Sequence, residues 1–553
     1  MLFRPRLGLI LGICAICVCP LATAASATAA TITPNILTDE LDNTNTGTDL
    51  GCSLREALSI ANTDSTAVEP ACAVDSAPGD DTISLGTGTY VLSVAGSNDD
   101  ANATGDLDVI ASGGDLTIDG TGAGTTSIDT TDSPAWADRV LNQVSAASGT
   151  PLVVRELTIT GGNTGNFGGG ILALAGSLTL ESARVTGNAA FGNGGGIDSR
   201  TGADSLSILD SQIDSNSSTL GDGGGGVQTA NLTTIDSSSI IGNHATYNQA
   251  LGGGITAVDV ADITVTDSLI ANNVAQSTGS AAPRGGGINM KSGSATIRNS
   301  TISGNEVLGG ASRTGGAVRV AGASTVTIVN STVSDNKAEL SGGTAGGIRL
   351  EAGTVNLVHA TIAPNPSGAS PSAISQTGTL NVRGSIVESP IGLDACAGTI
   401  TSGGFNVFTD SSCGAPATGD EVDADPLLGP LTDNGGPDAG APGFLSPIPT
   451  RLPAQTSTAV DHVPAANCDD EVPGAPLLTV DERGLTRPFD GDGLGVAECD
   501  AGSVEFQASD IPAVTPPPSG SAPAPAAPQP VTKKKCKKKK RRAATAKKCK
   551  KRK

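Results

Sequence analysis

Aromatic side chains are scarce in this chain of 553 residues: one Trp, two Tyr and eight Phe. Rings are the usual platform for stacking sugar faces, so a site built on stacking has little to draw on. Histidine is scarcer still, and His244, His359 and His462 stand singly. An aromatic blade motif and the LxxLxL signal are both missing, which excludes a β-propeller and a leucine-rich repeat. Beyond residue 29 no apolar run is long enough to span a bilayer.

Glycine, in contrast, is abundant and periodic. A Gly block ending in a branched residue recurs at Ile171, Ile197, Val227, Ile255, Ile288, Val318 and Ile348. Between these blocks stand seven apolar-x-x-Asn boxes, with Asn188, Asn216, Asn243, Asn273, Asn305, Asn336 and Asn365. A period of about 30 residues marks a solenoid.

Offsets counted back from each Asn give the local structure. Position −3 is Val185, Ile213, Ile240, Ile270, Ile302, Val333 and Ile362. Positions −8 and −10 are mostly apolar and differ by two, so both point to one face of a strand. Position −5 is always Ala or Ser and −6 is polar, the mark of a bend between strands. Each repeat reads as three short strands: one after the Gly block, one at −10 to −8, and one around −3. Stacked about 4.8 Å apart, such coils make three parallel sheets around a narrow apolar prism. The expected fold is an all-β, right-handed parallel β-helix, with the Asn column as a hydrogen-bonded side-chain ladder. Length varies mainly between each Asn and the next Gly block, so loops grow at one corner.

The chain opens with Arg4 and Arg6, an apolar run from Leu7 to Leu21, and Ala-x-Ala sites, which read as a secretory signal over residues 1–29. The residues before Cys14, Cys17 and Cys19 are wrong for lipidation. Without those three, eight cysteines fall in close pairs. In an exported chain these read as disulfides Cys52–Cys72, Cys396–Cys413 and Cys468–Cys499, stapling the solenoid ends, with Cys536 and Cys549 further on. Surviving C-x₂-C pairs and neighbouring His are lacking, which argues against zinc. Residues 30–160 read as an N-terminal cap and first irregular coils, and residues 52–62 as an amphipathic helix with capping-box spacing between Ser53 and Glu56. Regular repeats follow over 161–390, a C-terminal module over 391–507, a Pro/Ala linker over 508–532 and a basic tail over 533–553.

Cys52 to Ala57 spells CSLREA. It is followed by Pro78–Ile83 (PGDDTI), Gly105–Asp108 (GDLD) and the Gly/Asn coils. This resembles the bacterial secreted proteins named for that motif. The pieces Asp425-Pro-Leu-Leu-Gly429, Asp433-Asn-Gly-Gly436, Asp481-Glu-Arg-Gly484 and Cys499-Asp-Ala-Gly502 resemble the choice-of-anchor Q-type module of the same proteins. The repeats are also similar to those of polymorphic outer-membrane adhesins. The resemblance covers roughly residues 35–506, with one departure at Ser457–Asp461. It implies a secreted or surface β-helix without an established activity.

Fifteen cations lie in the tail Lys533–Lys553 and two in the leader, so the rest has 16 basic residues against 55 acidic ones, a net −39. The tail is a separate electrostatic object. It suits adhesion to anionic wall polymer, a membrane surface or extracellular nucleic acid, and equally a solvated tail folding back on its own acidic body.

Many β-helices cleave polysaccharide, and the strand after the Gly block is where such a site would lie. Its outward positions include Asp198, Arg200, Gln228, Asn289, Lys291, Arg319 and Arg349, the candidate binding face. Asp198 with Asp222 is the one workable carboxylate pair for a lyase or glycoside hydrolase, against a plain reading as two surface acids. Acid clusters at Asp99/Asp100, Asp420–Asp425, Asp469–Glu471 and Asp490/Asp492 have ligand chemistry for Ca²⁺, but none has the EF-hand Glu, and surface turns are the default. No cofactor or resident metal is expected. The chain reads as a monomeric extracellular or wall-associated scaffold, adhesive or structural, that binds glycan or wall polymer through one elongated face. A carbohydrate-active enzyme is the alternative.

Overall fold

A computed structural model describes residues 30–511, apart from 42–50, 64–71, 73–78, 98, 111–113, 132–135, 145–148, 201, 220–222, 260, 311–312, 340–341, 415 and 471–476. The expected leader, Asp222, Glu471, Cys536, Cys549 and the tail Lys533–Lys553 lie outside the described residues.

Successive coils stack as a right-handed parallel β-helix. The strands at −10 to −8 form a sheet of 13 strands, called the broad sheet. Those at −3 form a second sheet of 13 and those after the Gly blocks a sheet of 11, the Asn sheet and the Gly sheet. Side chains at −3 and −8 are closed to solvent, for example Ile270 and Val265 at 0% exposure. Each such burial contributes about 1.5–3 kcal/mol. Thr233, the one polar residue at −10, is also buried, with its hydroxyl 2.7 Å from that of Thr229.

Among the described residues there are four parallel sheets, not three. The fourth has seven strands among these residues: the first is Asn163–Thr164, and the other six begin immediately after an Asn of the ladder, as in Ala189–Ala190, His244–Tyr247 and Glu306–Leu308. It forms because position +2 is small: Ala245, Ala275, Val307 and Ala338 pack in a buried column. The loops thus stay in register for their first few residues before they diverge.

The bend at −6 is left-handed in all seven repeats: Ser182, Asp210, Ser237, Asp267, Asn299, Asn330 and His359 have φ between 46° and 50°. Short polar residues tolerate this conformation best. The next position makes a second ladder. The Ser238 hydroxyl accepts from the Ser211 N–H at 2.9 Å, and Ser268 from Ser238 at 3.1 Å. The Asn ladder runs beside it, each Oδ1 accepting from the backbone and side-chain amides of the preceding Asn, from Asn188 to Asn365.

The solenoid extends past the regular repeat on both sides. Asp81–Ser84, Leu116–Asp119 and Leu152–Arg155 belong to the broad sheet, and Glu421–Val422 is the last strand of the Asn sheet. The coils carry on there without an Asn box because the strand alternation persists. The segment after residue 425 does not cap the end. It runs back as a strap over the outside of the Asn sheet. Arg451 pairs with Asp335 at 3.0 Å, the Gly440 N–H donates to the Ser237 carbonyl at 2.9 Å, and Phe444 lies 4.2 Å beneath the Arg184 guanidinium.

The disulfides Cys52–Cys72 and Cys396–Cys413 lie in the two end regions. Cys468–Cys499, expected at an end, instead lies in the strap, packed with Val329 and Val358 on the flank.

Glu482 pins the strap. It is 1% exposed and accepts from the Thr301 hydroxyl at 2.8 Å and from the Thr332 N–H at 3.2 Å and hydroxyl at 2.5 Å. Burial raises its pKa from 4.5 to about 8, against the lowering effect of those hydroxyls. A folded pKa above the unfolded value stabilises the fold below pH 4.5, and that stability is lost as pH rises to 8. The loss is at most about 1.4 kcal/mol per pH unit. Glu482→Gln mimics the protonated form. We expect urea unfolding of this variant to show at least wild-type stability at pH 8 and a flatter slope between pH 5 and 8. An unchanged slope would mean that another group carries the dependence.

Candidate functional site

The predicted face assembles as a column. Asp198, Gln228, Thr256, Asn289, Arg319 and Arg349 occupy matched positions on consecutive strands of the Gly sheet. It is not an open face, however. Asp198 and Asn289 are 0% exposed, Gln228 6% and Arg319 8%, while Arg349, Arg200 and Lys291 are half-buried. The cause is the first glycine of each block. Gly194 has φ of 63° and turns the preceding loop back over the column, so a Cβ there would lie 2.6 Å from the Asp198 Cβ. Gly224 and Gly285 sit in the same way on Gln228 and Asn289.

Beneath this cover the polar groups bind each other. Arg200 pairs with Asp198 at 3.0 Å and lies 3.6 Å above the Phe167 ring. Arg319 holds Glu351 at 2.7 Å and Asn289 at 2.8 Å, and Arg284 approaches Glu351 at 3.3 Å. Arg349 donates to the Ser375 hydroxyl at 2.5 Å. The Arg319–Glu351 cluster is therefore largely covered. Burial acts to raise the Glu351 pKa, but Arg319 and Arg284 outweigh it and lower it.

Burial pushes the Asp198 carboxyl up to about 7, against the pull of Arg200 and Arg139. That is a useful value for a general acid, but among the described residues the Asp198 side chain is closed to solvent, and Asp222, the other half of the expected pair, lies outside them. The nearest carboxylate in the same column is Asp108, three strands away and so about 14 Å off. Glycosidase pairs stand about 5–10 Å apart.

Most of the acid clusters hold the chain itself. Asp99 caps the backbone of Ala101, Ala103 and Thr104; Asp420 binds Asn406 and Ala417; Asp469 and Asp470 pair with Arg383 and Arg298. Asp461 joins Asp490 and Asp492, the one set of three carboxylates among the described residues with oxygens within 4.8 Å of one another.

The face left open is the outside of the broad sheet. Position −9, between the two apolar positions, holds Thr179, Ser207, Thr234, Thr264, Thr296, Thr327 and Asn356. Pairing extends this column to Thr82 and Thr117 at one end and to Asn381 and Thr401 at the other, with Val153 as the single interruption. These side chains are half-buried or exposed. Their signal stood in the sequence, as a hydroxyl or amide at −9 in every repeat.

Among the described residues no helix is long and apolar enough to cross a membrane. Comparison of the chain with family models, with curated proteins and with solved structures finds no match.

Proposed function

We propose that this chain is a secreted or cell-surface β-helix scaffold that holds an extracellular glycan or wall polymer along the outside of its broad sheet, in an adhesive or structural role. The observation that carries this is the −9 column. Hydroxyl and amide groups repeat about every 4.8 Å along one uncovered face. A polymer with hydroxyls at regular intervals can hydrogen-bond to such a track at many points, which compensates for the shortage of aromatic rings. Three disulfides support an oxidising compartment. The CSLREA-type resemblance is part of the same proposal.

An array of glycans and wall polymers probed with the full chain tests it. Thr264 is exposed and Thr296 half-exposed. The double variant Thr264→Glu/Thr296→Glu is expected to weaken binding at least tenfold with little change in Tm. Release of oligosaccharide that Asp198→Ala abolishes would overturn the scaffold reading in favour of an enzyme.

The proposal also gives the Lys533–Lys553 tail the task of holding the protein to anionic wall polymer. A chain truncated at Val531 is expected to wash from cells at a lower salt concentration than the full chain. Equal retention in cell fractionation would remove the tail from the account.

A further inference from the structure

At its C-terminal end the −9 column runs into a cavity of about 530 Å³, within the range of small-ligand clefts. The floor is the outside of the broad sheet at Thr327, Asn356 and Asn381, and the wall is Arg383 with Asn467 and Asp470 of the strap. We infer that this groove is the end subsite for a neutral saccharide chain, one with hydroxyls and without carboxylate, sulfate or phosphate groups. The inference rests on the broad-sheet reading above and assigns its ligand class.

The charges of the lining decide the class. Arg383 is held by Asp469 through contacts of 2.6 and 3.0 Å and donates to the Asn467 carbonyl at 3.1 Å. Asp470 is paired with Arg298 at 3.0 Å. Both charged groups of the wall are therefore matched within the protein. Among the described residues an acidic sugar would meet Asp470 without a free cation to receive it, and desolvating its charge would oppose binding.

The floor offers neutral hydrogen bonds in both directions. The Asn381 amide donates to the Asn356 oxygen at 2.8 Å, and the Asn356 amide donates to the Thr327 hydroxyl at 3.1 Å. This relay fixes the orientation of both amides and uses one N–H of each, so a second N–H remains on each for a ligand oxygen. The Thr327 hydroxyl, accepting from Asn356, keeps its own proton to donate. Fixed donors beside a groove without net charge suit sugar hydroxyls. The strap closes one side only, and Thr296 and Thr264 continue the track outward, so affinity should grow with chain length.

Titration calorimetry on the full chain, using neutral cello-, xylo- and malto-oligosaccharides and an oligogalacturonate of equal length, tests this. At least one neutral series is expected to bind more tightly as it lengthens, and the oligogalacturonate at least tenfold more weakly. Asn381→Leu, on the floor, and Thr401→Trp, at the exposed rim, are each expected to raise Kd at least tenfold; Thr401→Trp keeps the test open if the floor variant misfolds. If the wild type binds neither class, the broad-sheet reading itself falls. If neutral chains bind and Thr264→Glu/Thr296→Glu weakens them while both groove variants bind as the wild type does, the groove assignment falls and the face reading stands. Equal or tighter binding of oligogalacturonate overturns the neutral class.

Discussion

Asn273→Ala is expected to remove about 3–5 kcal/mol of stability. Asn273 stands in the middle of the ladder and is closed to solvent. Its oxygen accepts from the Asn243 backbone at 2.9 Å and from the Asn243 side chain at 3.0 Å. Its amide donates to the Ile240 carbonyl at 2.8 Å and to the Asn305 oxygen at 2.9 Å. Truncation strands at least two buried groups, each costing about 1–3 kcal/mol. Water does not replace the amide easily, because the facing wall is Gly254, where a Cβ would lie 3.0 Å from the Asn273 side chain. The Gly block and the Asn box are thus one device: the glycine leaves the space that the amide fills. Coils pair only with their neighbours within the sheets, but the strap ties Arg184 and Ser237 on one side of this junction to Asp335 on the other, so the chain should still unfold as one unit. Ser268→Ala is the control. It removes one hydroxyl from the parallel ladder, at a position where Ala183 and Ala360 occur naturally, and should cost about 1 kcal/mol. Urea unfolding monitored by circular dichroism gives both values. A stability for Asn273→Ala within 1 kcal/mol of the wild type would mean that the ladder does not hold the coil corner.

This dependence on neighbouring coils also explains which features could be read from the sequence. The −3, −8 and −10 columns were legible because Ile, Val and Leu recur at fixed distances from a marker residue. Ala245 and Ala275 at +2 gave no comparable signal, since alanine is common and the strand there has two to four residues. The fourth sheet went unseen for that reason. The candidate face failed differently. Alternation along a strand tells which side chains point away from the core, and Asp198 and Asn289 do. It does not tell whether something else covers them, and here the left-handed Gly194 and Gly285 bring the loops down on top. The open face was missed because Thr296 and Thr327 looked like ordinary polar partners of the apolar positions beside them. The strap was illegible in a third way. Nothing repeats in it, so spacing cannot tell that Glu482 docks on Thr301 and Thr332, some 150–180 residues earlier.

Arg55→Ala is expected to destabilise the N-terminal cap by about 3–5 kcal/mol and to make the solenoid associate end to end more than the wild type does. A parallel solenoid ends in strands with one edge unpaired, and Leu107–Val109 is such an edge in the Gly sheet. The helix Leu54–Thr63 takes the place of the missing strand there. Arg55, closed to solvent, donates to the carbonyls of Gly105 at 2.6 Å and Asp106 at 2.9 Å, while Asn62 donates to the Asp108 carbonyl at 2.7 Å and accepts from the Ile110 N–H at 2.8 Å. The same guanidinium forms a buried pair with Asp39 at 2.8 and 3.1 Å. Reciprocal bonds between Ser53 and Glu56, at 2.8 and 3.1 Å, fix the start of the helix. The CSLREA and GDLD stretches are therefore two sides of one edge seal. Losing Arg55 strands two carbonyls and leaves Asp39 with only its backbone donors at Ser93 and Val94. Arg55→Lys should recover little, because an ammonium lacks the planar fork that meets the Asp39 carboxylate and the two carbonyls together. Light scattering at rising concentration reads the association, and thermal unfolding reads the cap. The account requires both to change: an Arg55→Ala chain that associates no more than the wild type and keeps a wild-type Tm would show that the edge is sealed by something other than this side chain.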